Sequence, residues 1–391
     1  MKKLALIAVT IVLFASCKKS DNTTPNTTPK TNPITPSGGT YTTLYNFTGT
    51  TGGAPNGSLI ISGSTLYGMT NGGGANGDGN IFSINTNGTG YTDMLDFNNT
   101  NGSEPDGDLT LSGGLLYGMA YQGGSFGYGV IFSINPNGTG YTVLHNFGVS
   151  GNSDGVHPLG NLTIVGSTMY GATSGGGING LGNIFSININ GSGYTDLYDF
   201  KNNGGAEPEA SLVVSGTMIY GTAYLGDPDN DGIVFSFNMT GNIFTTLVNF
   251  GGVRGENPDG SLLLAGSTLY GMTNAGGKDS LGNIFSVNTD GSGFTDLLDF
   301  NGTNGSSPYG ALILNGTTFY GMTTSGGTQD GGNVFSINTN GTGITNLVNF
   351  GIGGSPGAFP HGSLLFSNNV LYGMTAGGGA NGQGVIFSYS L

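Results

Sequence analysis

Within the stretch LGDPDNDGIVF, Asp227, Asp229 and Asp231 stand at alternate positions and Gly232 follows them. This is the first half of an EF-hand-type calcium loop. Carboxylate oxygens converge on one hard cation, the glycine permits the sharp turn, and the carbonyl of Ile233 can add a ligand. The second half is missing, because Phe235 holds the ninth position and Asn238 the twelfth, where a bidentate glutamate belongs. The expectation is a structural Ca²⁺ site of the weaker extracellular kind, on the order of 10⁻⁴ to 10⁻³ M. Its alternative is a solvated acidic turn.

Other residues invite chemistry and are weighed against their surroundings. Gly72-x-Gly74-x-x-Gly77 has the spacing of a dinucleotide-binding loop. Such a loop must open a helix, whose free N–H groups hold the phosphate, and the following NIFSIN reads as a strand. Glu207 and Glu209 could do acid–base work. The three histidines, His145, His157 and His361, fall at unrelated positions, which argues against a shared metal or a catalytic cluster. Of eight Lys and Arg, five lie at or before Lys30. Lys201, Arg254 and Lys278 then face every acidic residue except Asp21, a balance that excludes nucleic acid as a partner.

These groups must be carried by something, and the chain has three parts. MKKLALIAVTIVLFASC, residues 1–17, has two lysines, an apolar stretch from Leu4 to Phe14 and small residues before Cys17. The apolar stretch is too short to span a bilayer, so it reads as an export signal. It resembles a bacterial lipoprotein signal, which implies lipidation of Cys17, a place in the outer membrane and membrane contact through the lipid alone. Cys17 is the sole cysteine, so no disulfide can form within the chain. Residues 18–40 are Thr, Pro and Asn with little that is apolar, an extended tether.

Residues 41–391 repeat. Tyr-Gly recurs at Tyr67, Tyr117, Tyr170, Tyr220, Tyr270, Tyr320 and Tyr372. Each unit holds four short alternating or apolar runs, A to D, such as SLIIS, TLYGMT, NIFSIN and YTDMLDF, separated by turn residues. Four strands per unit of this length is the pattern of a propeller blade, so the fold expected is an all-β, seven-bladed β-propeller of four antiparallel strands per blade. The first run, YTTLYNF, is a D strand and the last, GVIFSYSL, a C strand. Ring closure by the N-terminal D strand follows. Phe82 and its six counterparts in strand C, and Phe47 and its six counterparts ending strand D, should fill the layers between blades. The glycine after each Tyr should let a ring or backbone approach closely.

The motif LYGMT..GG...G..IFSI...G.G.T.L..F resembles the tandem repeats named GloVer, found in exported bacterial proteins, over residues 41–391. That resemblance implies no activity. Other propeller families supply tests by absence. Sialidase-like sites need several arginines and Arg254 stands alone after the tether; quinoprotein propellers use tryptophans and there is none; a kelch copper-radical site needs a cysteine, and Cys17 belongs to the signal.

Function is therefore sought on the loops. The D to A and B to C connections are the long ones and emerge on one face. Each D to A loop has a proline between residues that vary: Ala54 and Asn56, Glu104 and Asp106, His157 and Leu159, Glu207 and Glu209, Asn257 and Asp259, Ser307 and Tyr309, Phe359 and His361. With Tyr121, Tyr128 and Tyr224 of the B to C loops and Arg254, the residues Glu104, Asp106, His157, Glu207 and Glu209 outline an acidic, aromatic sector over units two to five. Such a sector suits a glycan or protein ligand. The reading is a monomeric cell-envelope lipoprotein whose propeller is a non-catalytic binding module; the alternative is a polysaccharide hydrolase or lyase using carboxylates of this face.

Overall fold

A computed structural model describes residues 38–149, 153–201, 204–226, 229–352, 354 and 356–391. The expected signal, Cys17, nearly all of the tether, and Asp227 of the acidic loop lie outside the described residues. The propeller reading holds. The fold has seven four-stranded antiparallel sheets, and six of them run in simple meander order between residues 60 and 351. The seventh sheet is completed out of sequence, with β1 (Thr40–Asn46) pairing antiparallel to β28 (Val385–Ser390), beside β27 (Val370–Thr375) and β26 (Leu365–Ser367). Blades are numbered in chain order from the sheet of residues 60–96, and the closing sheet is blade seven.

Phenylalanine joins every blade to the next. The Phe ending each D strand meets the strand C Phe of the following blade, as Phe47 does Phe82 and Phe350 does Phe387, and all seven pairs have ring centroids 5.0–5.6 Å apart. All are buried, at roughly 1.5–3 kcal/mol each. The strand B glycine makes room for this layer. A Cβ on Gly68 would lie 2.6 Å from the Phe82 ring, its register partner, and Gly171 has the same relation to Phe185 at 2.5 Å.

One device was not foreseen from the sequence. In every blade the D strand carries a bulge, at Leu44, Met94, Leu144, Leu197, Leu247, Leu297 and Leu347. A bulge shifts the alternation by one, so residues three apart face the same side. Asp93 and Asp96 of β5 (Thr92–Asp96) meet in this way, as do Asp196 with Asp199 and Asp296 with Asp299. The C to D hairpin of the next blade closes on the bulge, where a Cβ on Gly88 would be 2.9 Å from the Leu44 carbonyl oxygen.

Candidate functional site

The two long connections do share one face. D to A residues pair with the B to C loop of their own blade, as Gly53 does with Gly72, Ser103 with Gln122 and Ala358 with Gly377. The residue before each proline also reaches the preceding blade. The Glu104 amide donates to the Asp78 carbonyl at 3.0 Å, His157 to Tyr128 at 2.9 Å, Glu207 to Leu181 at 3.0 Å and Asn257 to Asp231 at 2.7 Å. To make this link the residue before the proline turns left-handed in all seven units, with φ of 48° at Ala54, 53° at Glu104 and Glu207, 60° at His157, 56° at Asn257, 52° at Ser307 and 59° at Phe359. A side chain there costs about 1–2 kcal/mol that glycine would avoid. None of the seven is glycine, in a chain that has 79 of them.

The residue after each proline lines a central cavity of about 240 Å³ on the axis of the ring: Asn56, Asp106, Leu159, Glu209, Asp259, Tyr309 and His361. Behind them, side chains sew the inner strands together. The Asn161 amide donates to Ser211 Oγ at 2.9 Å, Ser211 to Ser261 at 3.0 Å, Ala311 to Ser363 at 2.8 Å and Ser363 to Ser58 at 2.8 Å, while Asp108 receives the Ser58 amide.

The cavity is divided chemically. On one arc stand Asp106, Glu209 and Asp259. Burial raises Glu209 to about 7, the charge of Glu207 adds to this, and a hydrogen bond to Asp259 opposes it. Burial and the Glu209 charge lift Asp259 well above the usual carboxylate range, so the pair resists carrying two negative charges. Burial also raises Asp106, against the amides of Asn56 and Asn71, which donate at 2.6 and 2.9 Å. On the other arc Tyr309 and His361 lie face against face, centroids 4.8 Å apart and planes 33° from parallel, and burial lowers the His361 pKa.

The first residue of the B to C loop forms an outer tier. Tyr121 and Tyr224 donate their amides to the carbonyls of Glu104 and Glu207. Burial raises the Tyr121 phenol, and the charges of Asp106, Glu209, Glu104 and Glu207 raise it further. The Tyr121 ring lies 4.6 Å from that of His157, whose Nδ1 is 3.2 Å from the Tyr121 carbonyl oxygen; Tyr128 meets the same imidazole edge-on at 5.8 Å. Gln122 Nε2 donates to Glu104 at 2.7 Å. Asn274 holds this tier's position in blade five, and its Nδ2 is buried without a hydrogen-bond partner.

Of the candidates from sequence, Asp106 and Glu209 therefore reach the cavity, with Tyr121, Tyr224, Glu104, His157 and Glu207 around its mouth. Tyr128 lies at the rim, 36% exposed. Arg254 is not brought in; it is exposed in a short 3-10 turn, with its guanidinium 5.4 Å from the Phe294 ring centroid. Asp259, Tyr309, His361 and Asn56 were outside that set, although they occupy the same variable position as Asp106 and Glu209. In the acidic loop, the Asp231 carbonyl makes the blade-to-blade link described above, and Ile233 opens β16 (Ile233–Asn238), opposite Ala223 and Asn249. No group of three His, Cys, Asp or Glu is placed to hold a metal among the described residues.

A search of curated proteins finds no match. Similar solved structures include an oligogalacturonate lyase in complex with manganese, 13% identical with a TM-score of 0.57, covering 84% of this chain and 86% of that one. A GH74 enzyme from Niastella koreensis is 15% identical with a TM-score of 0.59; the match covers 89% of this chain and 53% of the enzyme. At such identities the likeness is one of fold alone. The sequence itself is matched by a family model, the Gloeobacter/Verrucomicrobia repeat, over residues 30–168, 149–287 and 265–391. With these three matches running through the blades, the chain belongs to the Gloeobacter/Verrucomicrobia repeat family.

Proposed function

We propose that this protein is an exported binding module, anchored in the outer membrane through Cys17, that holds a glycan over the axial cavity. The observation that carries the reading is the ring of residues before the prolines. Six of the seven keep a side chain larger than alanine in a backbone conformation that favours glycine, and those side chains differ from blade to blade while the frame beneath them is constant. Strain kept for the sake of varied side chains is expected at a recognition surface. A glycan is favoured over a peptide at the axis. A peptide held by main-chain pairing needs free backbone amides, and those of Ser211 and Ser363, just before the inner strands, are already bonded to the next blade. The two enzymes named above resemble this chain in fold, and the likeness extends no further.

A second reading has one observation in its favour. Glu209, raised to about 7 and placed beside Asp259 in a cavity, has the properties of a general acid for cleavage of a polysaccharide. A glycan array with the purified full chain tests both. Retention of a defined glycan without change to it supports the binding module. New reducing ends would replace it with the hydrolase or lyase, and an array with no retained glycan would overturn the glycan-binding reading.

A further inference from the structure

The acidic arc faces the Tyr309–His361 ring pair across one small polar cavity, and this combination narrows the class of ligand. Opposed walls of carboxylate and aromatic face suit a group that is positive and has an apolar flank. The neutral arc cannot neutralise the acidic one: burial disfavours a charged His361, and neither Asn56 nor Tyr309 is basic. Among the described residues, no lysine or arginine lines the cavity. A sugar bearing carboxylates would meet like charge here, whereas an ammonium group would relieve the repulsion among Asp106, Glu209 and Asp259. The cavity, at about 240 Å³, is below the usual size of drug-binding pockets, which points to a single residue or a chain end.

We propose that the axial cavity takes an amino sugar with a free, protonated amine, its ammonium held by Glu209, Asp259 and Asp106 and its ring against Tyr309 and His361. This rests on the binding reading, and it commits that reading to a cationic glycan. An ammonium beside Glu209 and Asp259 favours their charged forms, so proton release should accompany binding.

Isothermal titration calorimetry of the full chain with the β-1,4-linked glucosamine tetramer and with its fully N-acetylated counterpart tests this. The amine-bearing tetramer should bind at least tenfold more tightly, and its heat should vary with the ionisation enthalpy of the buffer. Glu209→Gln and Asp259→Asn should each weaken it tenfold or more. Asp290→Asn, which removes one charge from a C to D hairpin on the opposite face, should leave affinity unchanged; Asn190 makes the same turn bonds in blade three, so this variant should fold. Equal affinity for the two tetramers would overturn the amine assignment while leaving glycan binding in place. Trilysine bound as tightly, with the same sensitivity to Glu209→Gln, would move the amine to a peptide and overturn the sugar. No heat from either tetramer while the array retains another glycan would likewise overturn this proposal but not the binding module.

Discussion

The phenol of Tyr41 donates to the carbonyl of Pro356 at 2.8 Å, joining residues 315 positions apart. Tyr41 also stacks on Phe387 with centroids 5.6 Å apart. The N-terminal strand is thus bonded into the last blade by side chains as well as by its ladder. Deleting residues 40–46 should cost about 5 kcal/mol or more, from the lost burial of Tyr41, Leu44 and Tyr45. Deleting residues 18–37 should leave chemical denaturation midpoints unchanged. Equal midpoints for the two deletions would contradict the closure.

Gly171 and Phe185 give a sharper packing test. Gly171→Ala places a methyl 2.5 Å from the Phe185 ring. Gly166→Ala meets no neighbour within 4 Å, although its φ of 62° strains it. Denaturant titration should show a loss of about 1–3 kcal/mol from overpacking at Gly171. Gly166 should lose about 1 kcal/mol, from backbone conformation alone.

At Glu207 the backbone and the ligand make opposite demands. Glu207→Gly relieves the left-handed strain and should raise stability by about 0.5–1 kcal/mol, net of the greater freedom glycine has when unfolded. The same change should weaken glycan retention on the array. A variant that is both more stable and fully retentive would remove the argument that strain here is kept for recognition.

The paired aspartates predict a pH dependence. Burial, followed by the charge of the neighbouring Asp199 or Asp299, lifts Asp196 and Asp296 to about 6. A carboxyl raised on folding favours the folded chain at low pH, and that advantage is lost as pH rises through the folded value. The melting temperature should therefore fall between pH 4 and 7. Blade six already has amides at the equivalent positions, with Asn346 Nδ2 donating to Asn349 at 3.2 Å. Asp196→Asn with Asp296→Asn should flatten the slope and raise the melting temperature at pH 8 by about 1–3 °C, allowing for the solvent exposure of these groups.

Calcium in the fourth unit remains a proposal of its own. Calorimetric titration of CaCl₂ into the full chain should show binding on the order of 10⁻⁴ to 10⁻³ M. The double variant Asp229→Ala, Asp231→Ala should abolish the heat. Identical heats from both proteins would dismiss the site.

The blades were legible because each repeats a complete local instruction: alternating apolar residues, turn glycines and one Tyr-Gly per unit. Seven copies in one chain also separate what the frame requires from what it tolerates, which is why the positions flanking each proline stood out. Which of these positions point to the axis could not be read, since Glu104 and Asp106 differ only in backbone conformation, and the left-handed turn at Glu104 is set by an amide bond to the preceding blade. The bulge at Met94 was hidden for a similar reason. Its partner glycine belongs to another repeat, and TDMLDF reads as an ordinary alternating strand.

Closure by β1 has a consequence for synthesis. Six blades can form one after another as the chain is delivered, because each finds its four strands close together in sequence. The seventh cannot. Its outer strand is made first and waits, unpaired, for residues 385–390. Until those residues arrive, TYTTLYN is an exposed edge of high β-propensity without a charged residue, the kind of segment that pairs with another copy of itself. Any pause before residue 385 prolongs that hazard, so the yield of this protein should depend on how fast its last blade is delivered.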